Sequence, residues 1–445
     1  MENQTKHLWR PSRYATNDTE IHDLFHCFIG LTGSNDMDDL SRRNVLRVGG
    51  TLGALGALSA LAAPASAQPW HWSPAGSVPG TGNGADPRQT WDTQADPLVA
   101  SLLDRGDVPK VNELLRTWKK NGQPLPAGLP SDLREFMEQA RQLPSWTDQN
   151  KLAAAVRFNE KRGLYLGVLY GFASGMMSTV IPKEALAVYY SKGGANMKNR
   201  ISKTAKLGYD IGSRNAFQAD GEMIVTSVKT RLVHAAVRHL LPQSPHWTHM
   251  APEDVPISQH DMMVTWHSLP TTAMRNLNAW NVKVPTDESD GFLHSWQLSA
   301  HLLGIEDQYI PATWNDAESQ ATQVLDPILA PTPEGIKLAD ILLDLGAGLD
   351  FTLLTRPILG ALTRFMLGNE IANWLNIPRE PVWSTLLDTA WGPFVKVREG
   401  LLPVPLAPHA YWTFDELLRQ FVLLYMSELR PISIEIPEFN NPNYR

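Results

Sequence analysis

The stretch Val228-Lys229-Thr230-Arg231-Leu232-Val233-His234-Ala235-Ala236-Val237-Arg238-His239 carries two imidazoles on what reads as one helix. Such groups ligate metals, shuttle protons or fill a core. At about 100° per residue, Val225, Val228, Leu232 and Ala236 form an apolar stripe that includes His239. His234 points the other way, with Thr230, Arg231, Val237 and Arg238. Periodicity therefore nominates His239 as the buried histidine, ordinarily a hydrogen-bonded core residue. A buried cofactor can sit against either face of a central helix, so pattern alone does not choose. In residues 196–210, Arg200, Lys203, Thr204 and Leu207 share one helical face. That combination is usually solvated surface. The sharper reading is a polar patch lining a pocket, where desolvation lets a lysine lose its proton and act as a ligand or donor. Glu184, just after Pro182, is either an acid stabilised by a helix N-terminus or a base with a pKa raised by burial.

Helices must position these groups. Apolar residues recur at three- and four-residue spacings over 98–104, 133–141, 150–158, 220–241, 335–349, 357–367 and 413–427, with prolines mostly between the runs. Thr413-Phe414-Asp415-Glu416 has capping-box form. Ile432, Ile434 and Ile436 alternate with polar residues, but one strand-like run makes no sheet. The class is all-α. Leu164–Ile181 is uncharged throughout, with Gly163, Gly167, Gly171 and Gly175 at every fourth position. Its length meets the lower bound for a membrane span, yet a buried central helix is the favoured reading. The glycine face lets another helix or a planar cofactor approach closely, and Pro182 ends the segment.

The chain has 445 residues, 43% hydrophobic, with a net charge of −7 and no long basic run, which argues against nucleic acid as a partner. Residues 1–36 read as an upstream extension. Residues 37–67 read as a twin-arginine signal peptide: Arg42-Arg43, an apolar run from Val48 to Ala63, then Ala65-Ser66-Ala67 for cleavage near Ala67. The expectation is a secreted, extracellular protein handed to the twin-arginine export machinery, a route that carries folded proteins. Residues 68–96 form an irregular lead-in, 97–430 an all-α domain and 431–445 a C-terminal tail. The sole cysteine, Cys27, is lost with the leader, so neither thiolate ligation nor C-x-x-C-H haem attachment is available. Nothing demands a dimer, and a monomer is the expectation.

Other chemistries fare worse. Gly80-Thr81-Gly82-Asn83-Gly84 follows no strand and reads as a plain loop rather than a nucleotide site. No G-x-S-x-G is present; in Gly171-Phe172-Ala173-Ser174-Gly175 the serine comes one place late. His294 and His301 share a helix face, but two turns put them about 10 Å apart, too far for one ion.

Lys183-Glu184-Ala185, the Arg200-Ile201-Ser202-Lys203-Thr204 run and Arg231 to His239, in this order and spacing, resemble the latex clearing proteins, haem-dependent rubber oxygenases. The twin-arginine leader fits, and the resemblance spans essentially all of the chain after it. It implies a globin-like helical core, with additional helices around a pocket for non-covalent haem b. It implies His234 as proximal iron ligand and Lys203 as distal ligand in a closed state, with Arg200 and Thr204 flanking and Glu184 as catalytic base. Thr265 lines the pocket, Arg238 joins the cofactor-binding residues, and His239 and His267 are structural. For His234 the resemblance overrides periodicity. The implied reaction is endo-cleavage of the C=C bonds of poly(cis-1,4-isoprene) with O2 as co-substrate, giving oligoisoprenoids with aldehyde and ketone ends. A metal is needed because ground-state O2 reacts with an alkene only by a spin-forbidden path. An alkene also offers no polar handle, so recognition needs an apolar channel, to which Tyr165 and Phe172 are suited. Two alternatives stay open: a haem oxygenase of another hydrophobic alkene, such as a terpenoid or unsaturated lipid, and a non-catalytic haem or lipid carrier.

Overall fold

Helical periodicity governs nearly every segment of the computed structural model, which describes residues 72–81, 84–251, 254–348, 355–400, 415, 422, 427–428 and 431–444. The expected extension and leader, and most of the helix expected over 413–427, lie outside these residues. The longer helices are α1 Ala95–Asp104, α2 Val108–Leu115, α3 Ser131–Ala140, α4 Gln149–Val168 and α5 Pro182–Tyr190. They continue as α6 Met197–Ile211, α7 Met223–Leu240, α8 Gln259–Trp266, α9 Thr272–Ala279 and α10 Thr286–Leu302. Last come α11 Trp314–Val324, α12 Pro333–Ala347, α13 Arg356–Trp374 and α14 Pro381–Gly400. Among the described residues the β structure is one hairpin, Gly76–Ser77 paired with Gly80–Thr81, within the lead-in. The all-α expectation holds.

The centre is α7. Its stripe of Val225, Val228, Leu232 and Ala236 packs against Val99 and Leu102 of α1, Val111 and Leu115 of α2, and Leu133 and Met137 of α3. A second face turns Val233 and Val237 towards Tyr190, Leu241 and Trp247. Its arginines, expected on the polar side, are buried as well. Arg231 donates to both carboxylate oxygens of Asp92, at 2.6 and 2.9 Å. Arg238 donates to Asp96 at 2.7 Å and to the Ile257 carbonyl at 3.1 Å. Burial alone would raise the Asp92 carboxyl, but hydrogen bonds and charge from Arg231 hold it below its ordinary value. Gly304 lets the chain turn beside this pair: it has φ +91°, and a Cβ there would lie 2.6 Å from Asp92 Oδ2.

The segment 164–181 is core but not one regular helix. The Gln149–Val180 run is apolar and long enough to cross a membrane, yet more than half of its apolar window is buried inside the fold. Its α-helical course ends at Val168, gives way to a π turn over Leu169–Ser174, and closes in a 3-10 turn before Pro182. A second π turn, His267–Thr271, follows α8 and accommodates Pro270 inside a helical run. The two turns meet through the Ser174 and Ser268 hydroxyls, 3.3 Å apart. The glycine face is covered unevenly: a Cβ at Gly163 would lie 3.2 Å from Asp415 Oδ2, whereas one at Gly167 or Gly171 meets nothing within 4 Å among the described residues.

On its other side α4 packs against α10, where Phe158 stacks on Phe292 at 4.3 Å and buried Arg162 pairs with Glu288 at 2.8 Å. The C-terminal isoleucines form no strand. Ile436 instead exchanges two hydrogen bonds with the Asn112 side chain, and its own side chain joins the α1–α3–α7 core.

Close contact between α4 and α10 depends on Gly291, where a Cβ would meet the Lys151 carbonyl at 2.5 Å and the Ala155 amide nitrogen at 2.6 Å. Gly291→Ala is expected to destabilise the protein by about 2 kcal/mol, read as a lower thermal midpoint. An unchanged midpoint would show that the two helices separate at no cost.

Candidate functional site

Glu184 sits in the first turn of α5, where Pro182 takes the N-terminal position that lacks an amide hydrogen. The neighbouring helix α8 is started by a reciprocal cap between Ser258 and Asp261. One turn further on, the Thr265 hydroxyl donates to Glu184 Oε2 at 3.0 Å. Burial pushes the Glu184 carboxyl up to about 7 from 4.5; Thr265 and Arg200 pull it down, while Asp261 adds to the rise.

Arg200, Lys203 and Thr204 lie on α6, which is capped by Asn196. The Arg200 guanidinium makes no hydrogen bond or ion pair among the described residues, and burial weakens its hold on its proton, opposed only by the Glu184 charge. Its own field reaches both Glu184 and His234. Arg200 thus links the acid on α5 to the imidazole on α7. Half-buried Lys203 is drawn below its ordinary pKa first by burial, against the pull of Glu435. Lys192 and Arg200 depress it further. Thr204 is exposed, and its hydroxyl turns back to the Arg200 carbonyl at 3.4 Å. Its contact is therefore with its own helix.

On α7 the two histidines part company. His239 is 27% exposed, with Nε2 3.6 Å from Asp104. The stripe to which it belongs runs out at the end of α1, so its burial falls short of the periodicity reading. His234 Nδ1 is buried without a partner, and neither ring nitrogen has a hydrogen bond among the described residues. Burial, then the charges of Arg238 and Arg200, lower its pKa to about 3, so the imidazole is neutral. A neutral imidazole with unused nitrogen lone-pair capacity is what a metal ligand requires. Arg238 spends its donors on Asp96 and Ile257 and bears on this pocket through its field at His234.

Three further histidines are engaged. His267 is fully buried between Thr271 at 2.8 Å and Gln320 at 2.7 Å. His294 Nε2 accepts from the Asp148 amide at 2.9 Å, and His301 meets Asp307 at 2.6 Å. Both flank the Trp146 ring. Tyr165 is buried against Trp280 and Phe394, and burial raises its phenol pKa.

Sequence reasoning missed Asp261, although Ser258-x-x-Asp261 has the form of a helix start. It also missed the paired π turns, for which Pro270 in an uncharged run was the available signal.

Comparison with known proteins follows the same outline. Residues 161–397 match the family described as ER-bound oxygenase mpaB/B'/Rubber oxygenase, catalytic domain. A rubber oxygenase of Streptomyces sp. (strain K30) is 55% identical over 408 residues, covering 92% of this chain and all of that protein. A solved structure of a latex clearing protein in the closed state is 56% identical, with a TM-score of 0.75, covering 83% of this chain and 99% of that one.

The Glu184 carboxyl makes a prediction about stability. In the fold it takes its proton near 7, and in the unfolded chain near 4.5. Between those values the folded state holds the extra proton, so stability falls as pH rises, and the full penalty stands above about pH 7. Glu184→Gln is expected to be more stable than the parent at about pH 8, by up to about 3 kcal/mol, with the gain vanishing below about pH 4.5. Thermal melts across that range check this, and a pH-independent gap would contradict it.

Proposed function

This chain belongs to the rubber oxygenase family and is an oxygenase that cleaves rubber; on that premise we propose that it is a haem b enzyme acting on poly(cis-1,4-isoprene). The products are oligoisoprenoids with aldehyde and ketone ends, formed by internal C=C cleavage. The observation that carries the reading is the unpartnered, neutral imidazole of His234, joined through the field of half-buried Arg200 to the half-buried acid Glu184. His234 would hold the haem iron, and Lys203, with its lowered pKa, would be the candidate for a second iron ligand. Haem iron, when bound, supplies the O2 activation that an alkene alone cannot obtain.

The chain's own groups do the rest. Thr265 occupies Glu184 Oε2, which leaves Oε1 to take an allylic proton from the polymer. A carboxyl titrating near 7 is partly ionised at neutral pH and still basic enough for that transfer. Arg200 offers guanidinium donors to an oxygen atom or a carboxylate in the pocket. The face at Gly167 and Gly171, open among the described residues, suits a flat or chain-like apolar group. Arg42-Arg43, the apolar run and the Ala65-Ser66-Ala67 site support export by the twin-arginine route to the outside of the cell.

The purified protein is expected to show a strong Soret band that His234→Ala loses. Glu184→Gln is expected to keep the band while slowing O2 uptake on polyisoprene latex at least ~100-fold. A folded protein without the band would overturn the haem assignment. Equal uptake on unsaturated lipid and latex would point to a broader alkene oxygenase, and uptake with neither to a carrier.

A further inference from the structure

Lys183 and Glu184 are neighbours on α5, and both reach α8. Lys183 Nζ lies 2.9 Å from Asp261 Oδ2 and 2.8 Å from Asp254 Oδ1, while Glu184 meets Thr265 at 3.0 Å. Residues four apart lie on one helix face, so Asp261 and Thr265 form two successive rungs. Adjacent residues of α5 splay by about 100°, so the two bonds grip α8 from different directions. We propose that the Lys183–Asp261 pair is the positioning device of the Glu184 base: it locks α5 onto α8 so that Thr265 can hold the carboxyl, and it balances the charge one turn away. The inference rests on Glu184 acting as the base.

Asp261 is fixed on every side that matters. It closes the α8 cap through the Ser258 amide at 3.0 Å, lies 3.7 Å from His260 Nδ1, and receives Lys183. The charged and polar groups bearing on Glu184 are then Thr265 and Asp261 of α8 and Arg200 of α6; Lys183 of its own helix acts through Asp261, to which it is bonded, and is shared with Asp254. Asp261 opposes ionisation of Glu184, and Thr265 and Arg200 favour it. Removing the lysine leaves the Asp261 charge uncompensated and makes Glu184 harder to ionise. Removing the aspartate charge does the reverse.

The test is the pH profile of O2 uptake on polyisoprene latex by the haem-loaded protein. Lys183→Met is expected to move the ascending limb to higher pH by roughly half a unit to one unit, and Lys183→Arg to restore it. Asp261→Asn is expected to move the limb down by a similar amount. A loosened fold lowers the rate without shifting the limb, and cannot produce shifts of opposite sign. The proposal falls if the limb stays in place in both variants or moves the same way in both. If Asp261→Asn fails to fold, the methionine and arginine variants of Lys183 decide. Glu184→Gln separates the two readings: a limb that survives it overturns the base assignment itself. A limb lost there but insensitive to Lys183 and Asp261 overturns only the positioning role.

Discussion

Everything in this fold leans on a helix buried over most of its length. An α-helix surrounded by protein is ordinarily apolar all round, yet α7 carries Lys229, Arg231, His234 and Arg238 in its length. The conflict is resolved by carboxylates brought in from elsewhere. Asp92 and Asp96 meet the two arginines in charge-assisted bonds, and Lys229 donates to the Trp118 carbonyl at 2.7 Å. A lone buried cation would be strongly destabilising, whereas a hydrogen-bonded pair is tolerated. With those charges answered, α7 can sit at the centre, and of these four basic side chains His234 is the one without a hydrogen-bond partner among the described residues.

One low-dielectric region then does opposite things to two titratable groups. Burial drives the Glu184 carboxyl up and the His234 imidazole down, each towards its uncharged form. The neighbouring charges set how far each goes. Arg200 restrains the rise of Glu184 and deepens the fall of His234. A single guanidinium therefore tunes a carboxyl and an imidazole at once, and separated pKa values of this kind mark functional sites.

The helices were legible because their signal is local. Runs over 98–104 and 357–367 fall inside observed helices, those over 133–141 and 335–349 coincide with Ser131–Ala140 and Pro333–Ala347 for most of their length, and the Val225–Ala236 stripe is buried as its period requires. What stayed hidden depends on partners far along the chain. Arg231 and Arg238 read as a polar face because their carboxylates lie 139 and 142 residues away. Thr265 meets Glu184 across 81 residues, so periodicity could not pair them, and the resemblance named both without their contact. His239 shows the limit of the stripe argument: sharing an angle with buried residues does not bury a side chain where the facing helix ends.

The bond between Asn112 and Ile436 spans 324 residues and seals the core on which α7 rests. At ribosomal rates of about 5–20 residues per second, α2 leaves the ribosome roughly 16 to 65 seconds before its last partner exists. During synthesis the apolar faces of α1, α2 and α3 are thus short of their final closure, whatever helices have already formed. Such long-range closure makes folding a late, whole-chain event rather than a succession of finished pieces. The arrival of Ile436, more than the making of any one helix, completes the core of α1, α2, α3 and α7.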